Sequence, residues 1–246
     1  MDYKSLWLAR KDLVGYYEAS KLEKDFLSLV TKEVLLEVKE LVLVDLGCGD
    51  GRLSASADLS LFSKVILCDQ DSVVYEARNR LQKLEGASQI LCVKDSVENI
   101  ITNISNNSLV LCCGLISLMP EEDHLPFINN ILMHRPAGLI LAVPRYNILG
   151  SFYIKANFLR GKLANVIVKQ IINIFKFRKN YSNIFLIERY MYKICFSFFE
   201  VFVPHKITRL GRQKYIEIFL ANEYELIDVV ESGFSSMFGF RRKNVI

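Results

Sequence analysis

Three glycines and three carboxylates are the residues of this 246-residue chain whose types and spacing point to chemistry. Leu41 to Leu53 reads LVLVDLGCGDGRL, an apolar run followed by Asp45 and then by Gly47, Gly49 and Gly51 at alternate positions. That order predicts a buried strand, a tight loop and a helix starting near Arg52. Glycine suits such a loop because the backbone must turn sharply and approach a ligand with no Cβ in the way, and the amides of the following helix would face whatever the loop holds. A dinucleotide fingerprint would place its third glycine at position 52, which is Arg. The carboxylate of Asp45 suits a ligand bearing an ammonium or sulfonium charge better than a pyrophosphate, and the plain alternative is an ordinary strand-to-helix turn. Two later apolar runs also end on acids: KVILCD on Asp69, followed by Gln70, and QILCV on Asp95, followed by Ser96. Asp69 falls eighteen residues after Gly51, close to the ~20-residue spacing at which doubly wound folds set a carboxylate against ribose hydroxyls. Its two acceptor oxygens match a diol.

The elements that must position these groups follow from periodicity. Residues 1–40 read as a helical cap, with Leu22, Phe26, Leu27, Val30, Val34 and Leu35 in the three-and-four rhythm of an amphipathic helix. Ahead of it, Tyr16 and Tyr17 either lie across the ligand mouth or pack on the domain edge. After the glycine loop come a short helix, the strand to Asp69, a helix VVYEARNRLQKLEG closed by Gly86, and the strand Gln89–Val93. Leu109–Cys113 is a fourth strand, Glu121–Arg135 a helix, and Leu139–Val143 a fifth strand leading to Pro144, Arg145, Tyr146 and Asn147. Alternating strands and helices predict a parallel, doubly wound α/β sheet. In such a sheet the carboxyl ends of neighbouring strands share one ligand crevice, so Asp45, Asp69 and Asp95 would converge there. Tyr224–Glu231 and the run from Met237 are the sixth and seventh strands, joined closely enough for an antiparallel hairpin at one edge. The organisation expected is a helical cap over 1–40, a ligand-binding core over 41–147, a substrate lobe or lid over 148–220, and closing strands over 221–246.

Half of the residues are apolar, which excludes a mostly disordered protein. MDYKSLWLARKD lacks the apolar core of a signal peptide, and no stretch offers the ~20 charge-poor apolar residues of a membrane span. Six cysteines show neither a C-x-x-C pair nor a His at ligand spacing. They read as small apolar side chains in a reduced, cytoplasmic compartment, with no metal site. Residues 151–220 carry thirteen Lys or Arg against three Glu, so of the net +4 this segment holds +10 and the rest of the chain −6.

D-x-G-x-G-x-G between strand and helix resembles motif I of the class I S-adenosylmethionine-dependent methyltransferases. With all five elements placed, Val42 to Asn147 is similar to the small-molecule type that includes the quinone-biosynthesis enzymes. The resemblance implies a Rossmann-like seven-stranded sheet, mostly parallel with an antiparallel C-terminal hairpin, carrying a helical insertion between strands 5 and 6. It implies S-adenosyl-L-methionine as cofactor, with Gly47, Cys48 and Gly49 against its methionine part, Gly51 also in the cofactor-binding loop, and Asp45 near the ammonium group. Asp69 and Gln70 would meet the ribose hydroxyls, Asp95 and Ser96 the adenine edge, and the backbone at Cys112 and Cys113 the methionine amine. The strand-four end lacks the Asn-Pro-Pro-aromatic run with which amino methyltransferases grip a planar nitrogen, which disfavours base methylation.

Displacement from a sulfonium mainly requires alignment, which can supply several of the ~7–11 kcal/mol open to well-oriented reactants. A base is needed only for a hydroxyl or protonated amine. Of the three imidazoles, His134 suits a helix end; His124, near the start of its helix, either lies in a solvated loop or faces the crevice; His205, where the chain returns from the insertion, is the preferred candidate base. Tyr17 and Tyr146 are the candidate acceptor contacts. The roughly 75 residues between strands 5 and 6 far exceed an ordinary connection of ~2–6 residues. Within them, Leu159, Leu163, Val166, Ile167, Ile171, Ile174 and Phe175 form an apolar stripe opposite Lys162, Lys169 and Lys176. This segment reads as a lid, as an interfacial helix on anionic lipid, or as an RNA surface. Its aliphatic bulk favours a small apolar or lipid-like acceptor with peripheral membrane contact over nucleic acid. The alternatives are an RNA methyltransferase and a non-catalytic cofactor-binding subunit.

Overall fold

Strands buried on both faces read as nearly continuous apolar runs, and such runs build most of the sheet in the computed structural model. The structure describes residues 19–144 and 212–243, except 71, 85, 87, 88, 117, 118, 120, 233 and 234. The chain divides into two units, and all described residues lie in the one formed by Glu18–Tyr146 and Thr208–Ile246. Tyr16, Tyr17, Tyr146, His205 and the stripe from Leu159 to Phe175 lie outside the described residues.

In chain order the elements are α1 (Lys21–Leu35), β1 (Leu41–Leu46), β2 (Phe62–Asp69), α2 (Val73–Leu81), β3 (Ile90–Lys94) and α3 (Val97–Ile100). Then follow β4 (Ser108–Cys113), α4 (Glu121–Met133), β5 (Gly138–Pro144), α5 (Arg212–Ala221), β6 (Tyr224–Ser232) and β7 (Ser235–Arg242). The strand order is β3-β2-β1-β4-β5-β7-β6. The first five strands run parallel, and β7 is antiparallel to both neighbours. The expected hairpin forms, with β6 at the edge and β7 between it and β5.

Alternate strand residues feed two apolar layers, one on each face. Leu43, Leu67, Leu111 and Ile140 meet Phe26, Val30 and Val34 of α1 and Val74, Ala77 and Leu81 of α2. Val44, Cys68, Val110 and Leu139 join Ile128 and Ile131 of α4 and Tyr215 and Phe219 of α5. Ser20 caps α1 in a capping box with Glu23, which satisfies donors that a helix start otherwise leaves open. The helix crosses the sheet where two glycines admit it. A Cβ at Gly239 would lie 2.4 Å from Val30 Cγ2, and one at Gly138 2.5 Å from Val34 Cγ2.

Three sequence expectations are corrected. No α-helix follows the glycine loop; residues 52–61 pass through two 3-10 turns, Ser54–Ser56 and Leu59–Leu61. The Ser and Asp side chains there compete for local hydrogen bonds: Ser56 Oγ donates to the Arg52 carbonyl, and Asp58 accepts from the Ser60 amide. The helix expected to run to Gly86 ends at Leu81. Leu22, expected on the apolar face of α1, is 46 % exposed. Among the described residues no helix is long and apolar enough to cross a membrane.

Candidate functional site

The carboxyl ends of β1, β2 and β4 lie side by side, because Asp45 is in register with Leu67 of β2 and Leu111 of β4. From this rim the chain turns through Gly47, Gly49 and Gly51, with φ of +69°, +53° and +70°. L side chains resist that left-handed region, and at Gly51 space forbids one too, since a Cβ would sit 2.8 Å from Ala77 Cβ. The turn is tied to β2 on both sides. Gly47 and Cys48 donate backbone N–H bonds of 2.8 and 3.0 Å to the Cys68 carbonyl. Gly49 N–H donates 2.9 Å to Asp69 Oδ2.

The three acids therefore meet different surroundings. Asp69 is half-buried at the loop, with one oxygen engaged by Gly49. Asp45 is not on the open rim; it is 4 % exposed, and Ser54 Oγ donates to its Oδ2 at 2.5 Å. Burial pushes its carboxyl up to about 7, with the Asp69 and Asp50 charges adding to the shift and the Ser54 bond and Arg52 opposing it. Asp95 is exposed and accepts from Asn99 Nδ2 at 2.9 Å and the Ser96 amide at 2.7 Å. Those bonds hold its carboxyl below the usual range. The Asp95 amide donates to the Asp69 carbonyl at 3.2 Å, so the β2 and β3 ends are joined although the two carboxylates do different work. Gln70 and Ser96 are exposed beside them.

The β4 end supplies backbone and little else. The buried Cys112 thiol and the half-buried Cys113 thiol are pushed up, chiefly by burial, as is that of half-buried Cys48. Thiols held in the neutral form are poor nucleophiles. After Cys113, Gly114 adopts φ +117°, and a Cβ there would meet no other described residue within 4 Å.

Several residues the sequence reading passed over complete the site. Ser54 fixes the Asp45 carboxyl, and buried Asp50 forms an ion pair with Arg80 of α2 at 3.0 Å. Arg52 reaches Glu23 of α1 through two contacts, Nη1 to Oε2 at 3.1 Å and Nη2 to Oε1 at 3.3 Å. The pattern Ser20-x-x-Glu23 was the one available signal, and it speaks for a helix cap rather than for the loop. His124, read as a solvated loop residue, is 3 % exposed. Its Nε2 donates to the Met119 carbonyl at 3.2 Å, and its Nδ1 shares a 2.8 Å hydrogen bond with the Tyr215 hydroxyl of α5. His134 is half-buried just past the end of α4.

Solved structures share this fold. A methyltransferase from Clostridium acetobutylicum ATCC 824, described as S-adenosylmethionine-dependent, superposes with a TM-score of 0.55 at 12 % identity over 96 % of this chain and 97 % of that one. Magnesium protoporphyrin IX methyltransferase from Synechocystis PCC 6803 with bound SAH gives 0.54 at 14 % identity, over 95 % and 87 %. The methyltransferase domain of bacterial CtHen1-C gives 0.53 at 16 %, over 91 % and 100 %. The chain has the class I methyltransferase fold. No protein-family model and no curated protein sequence matches it.

Within the methyltransferase fold, the fit of this site to a cofactor rests on its own donor set. Beside the glycine loop stands the half-buried carboxylate of Asp69, with Asp45 buried at the end of β1, while Arg52, which directly follows the loop, reaches Glu23. A carboxylate accessible beside the loop fits a ligand with hydroxyl groups and a positive charge and repels a pyrophosphate.

Proposed function

We propose that this protein is an S-adenosylmethionine-dependent methyltransferase acting on a small, apolar or lipid-like acceptor. The observation that carries the cofactor assignment is the glycine loop held against a half-buried acid, Gly49 N–H on Asp69 Oδ2. Asp69 and Gln70 would meet the ribose hydroxyls, Asp45 and the β4 backbone near Cys113 the amino-acid part, and Asp95 and Ser96 the base edge. A methyl group on a sulfonium, with a neutral thioether as leaving group, is what the bound cofactor supplies. The chain's task is then to orient the acceptor and exclude water. For a hydroxyl acceptor a base is also needed, and His205 is the candidate by sequence.

The acceptor class is argued from the chain between β5 and α5. It leaves and re-enters at residues 145 and 211, combines a +10 charge balance over 151–220 with an aliphatic stripe, and follows the carboxyl end of β5. Aliphatic bulk beside lysines suits an interfacial helix better than a nucleic-acid groove.

Titration calorimetry with S-adenosylmethionine and S-adenosylhomocysteine tests the first half, and heat with a nicotinamide dinucleotide alone would overturn it. Co-sedimentation with anionic liposomes, weakened by Lys169→Ala with Lys176→Ala, tests the second. Salt-sensitive RNA binding lost in the same double variant, with no liposome binding, would replace the lipid acceptor by RNA.

A further inference from the structure

Glu23 does two jobs at once. Its Oε2 accepts from the Ser20 amide at 2.7 Å, closing the cap of α1, and the same carboxylate takes both terminal nitrogens of Arg52. Arg52 directly follows Gly51, and its carbonyl is held by Ser56 Oγ at 3.0 Å. Burial pushes the Glu23 carboxyl up, yet the Ser20 amide and the Arg52 guanidinium outweigh that and hold it below the usual range. The pair is largely shielded, with side chains 12 % and 23 % exposed.

Helix α1 does not depend on this pair. Phe26, Leu27, Val30 and Val34 are buried against the sheet, Ser20 Oγ accepts from the Glu23 amide, and Arg241 pairs with Glu33 at 2.8 Å. The glycine loop does depend on something outside itself. Three left-handed glycines in five residues carry little intrinsic preference for one shape, and no α-helix follows to hold the loop's far end. The near end is fixed by Cys68 and Asp69; the far side is held by Arg52 on Glu23, together with Asp50 on Arg80 and Ser54 on Asp45.

We infer that Glu23 is a positioning residue for the cofactor loop: through its two-point pairing with Arg52, the first turn of α1 fixes the loop in its receiving shape. The inference rests on the methyltransferase reading for the word cofactor, and on geometry alone for the bracing. A loop fixed before binding loses less freedom on binding, so affinity is where the pair acts.

Two variants separate bracing from capping. Glu23→Gln keeps the size and the acceptor that close the cap, but removes the Glu23 charge from the pairing with Arg52. Ser20→Ala weakens the cap and leaves the pair. Amide hydrogen exchange of the ligand-free protein and calorimetry with S-adenosylhomocysteine are run on both and on wild type. The expected result for Glu23→Gln is faster exchange across residues 47–56 and a Kd raised about tenfold, as expected when one partner of a shielded, hydrogen-bonded pair is removed. Ser20→Ala should show faster exchange confined to the first turn of α1, a lower Tm and an unchanged Kd. Wild-type exchange across 47–56 in Glu23→Gln overturns the inference, as does an equal rise in Kd for both variants, which would trace the effect to helix stability. Absence of heat with wild type would sink the methyltransferase reading instead, and the exchange comparison would still decide the role of Glu23.

Discussion

Burial raises the Asp45 carboxyl from 3.8 to about 7, so the ligand-free protein holds this proton to a higher pH than an ordinary carboxyl would. The sign follows from linkage. A carboxyl that keeps its proton more tightly in the folded state contributes stability that is complete below about pH 4 and is lost as pH climbs through 7. Between pH 5 and 8 the loss is about 3 kcal/mol, at ~1.4 kcal/mol per pH unit of displaced titration. Urea unfolding at the two pH values should show this drop in wild type and not in Asp45→Asn, whose amide oxygen still accepts from Ser54. A bound ammonium beside Asp45 favours the ionised form, so S-adenosylhomocysteine should bind more tightly as pH rises from 6 to 8. In Asp45→Asn, calorimetry should find weaker binding with that slope removed. Gly51→Ala should destabilise by about 2–4 kcal/mol, combining a left-handed backbone penalty with overpacking on Ala77. Thermal unfolding measures it. The glycines and Asp45 were legible because alternate spacing after an apolar run has few other causes. Ser54 and Glu23 were not, because each meets its partner across 9 or 29 residues through a fold the local pattern does not encode.

Among the elements, the strands were legible nearly to the residue, since burial on both faces leaves unbroken apolar runs such as Leu109–Cys113 within β4. The segment after Gly51 departs from the usual strand–loop–helix order because Ser56 and Asp58 spend their oxygens locally and stop a helix from propagating. Leu22 fits the three-and-four rhythm yet faces solvent, because periodicity defines a stripe and the tertiary fold decides how wide a stripe is covered. The seat of α1 on the sheet was also invisible, as Gly138 and Gly239 are glycines for the sake of Val34 and Val30, far away in sequence. Gly239→Ala should cost about 1–3 kcal/mol by overpacking. Val30→Ala, which opens a small cavity, should cost a similar amount. Because each change relieves the other, the double variant should be about 1 kcal/mol more stable than the two losses added together. A double-mutant cycle by urea unfolding reads that coupling.

For the whole molecule, ligand binding and stability share one free-energy scale. At a hundredfold excess over Kd, S-adenosylhomocysteine should add about 2.7 kcal/mol, a Tm rise of about 5–10 °C for a chain of this size. A nicotinamide dinucleotide at the same concentration should leave the melting curve where it was. The charge division between 151–220 and the rest of the chain was plain in the sequence, but the kind of acceptor it serves is a matter of surface chemistry that composition alone narrows to lipid or RNA. The sheet order carries a consequence for biosynthesis. Because β7 lies between β5 and β6, a nascent chain that has emerged from the ribosome only as far as Ser232 presents β5 with a bare flank and β6 with no neighbour. Until residues 235–242 follow and thread between them, that flank can recruit strands from other nascent chains. A stop codon after Ser232 would therefore remove an inner stave, not a border, and the product should collect in inclusion bodies.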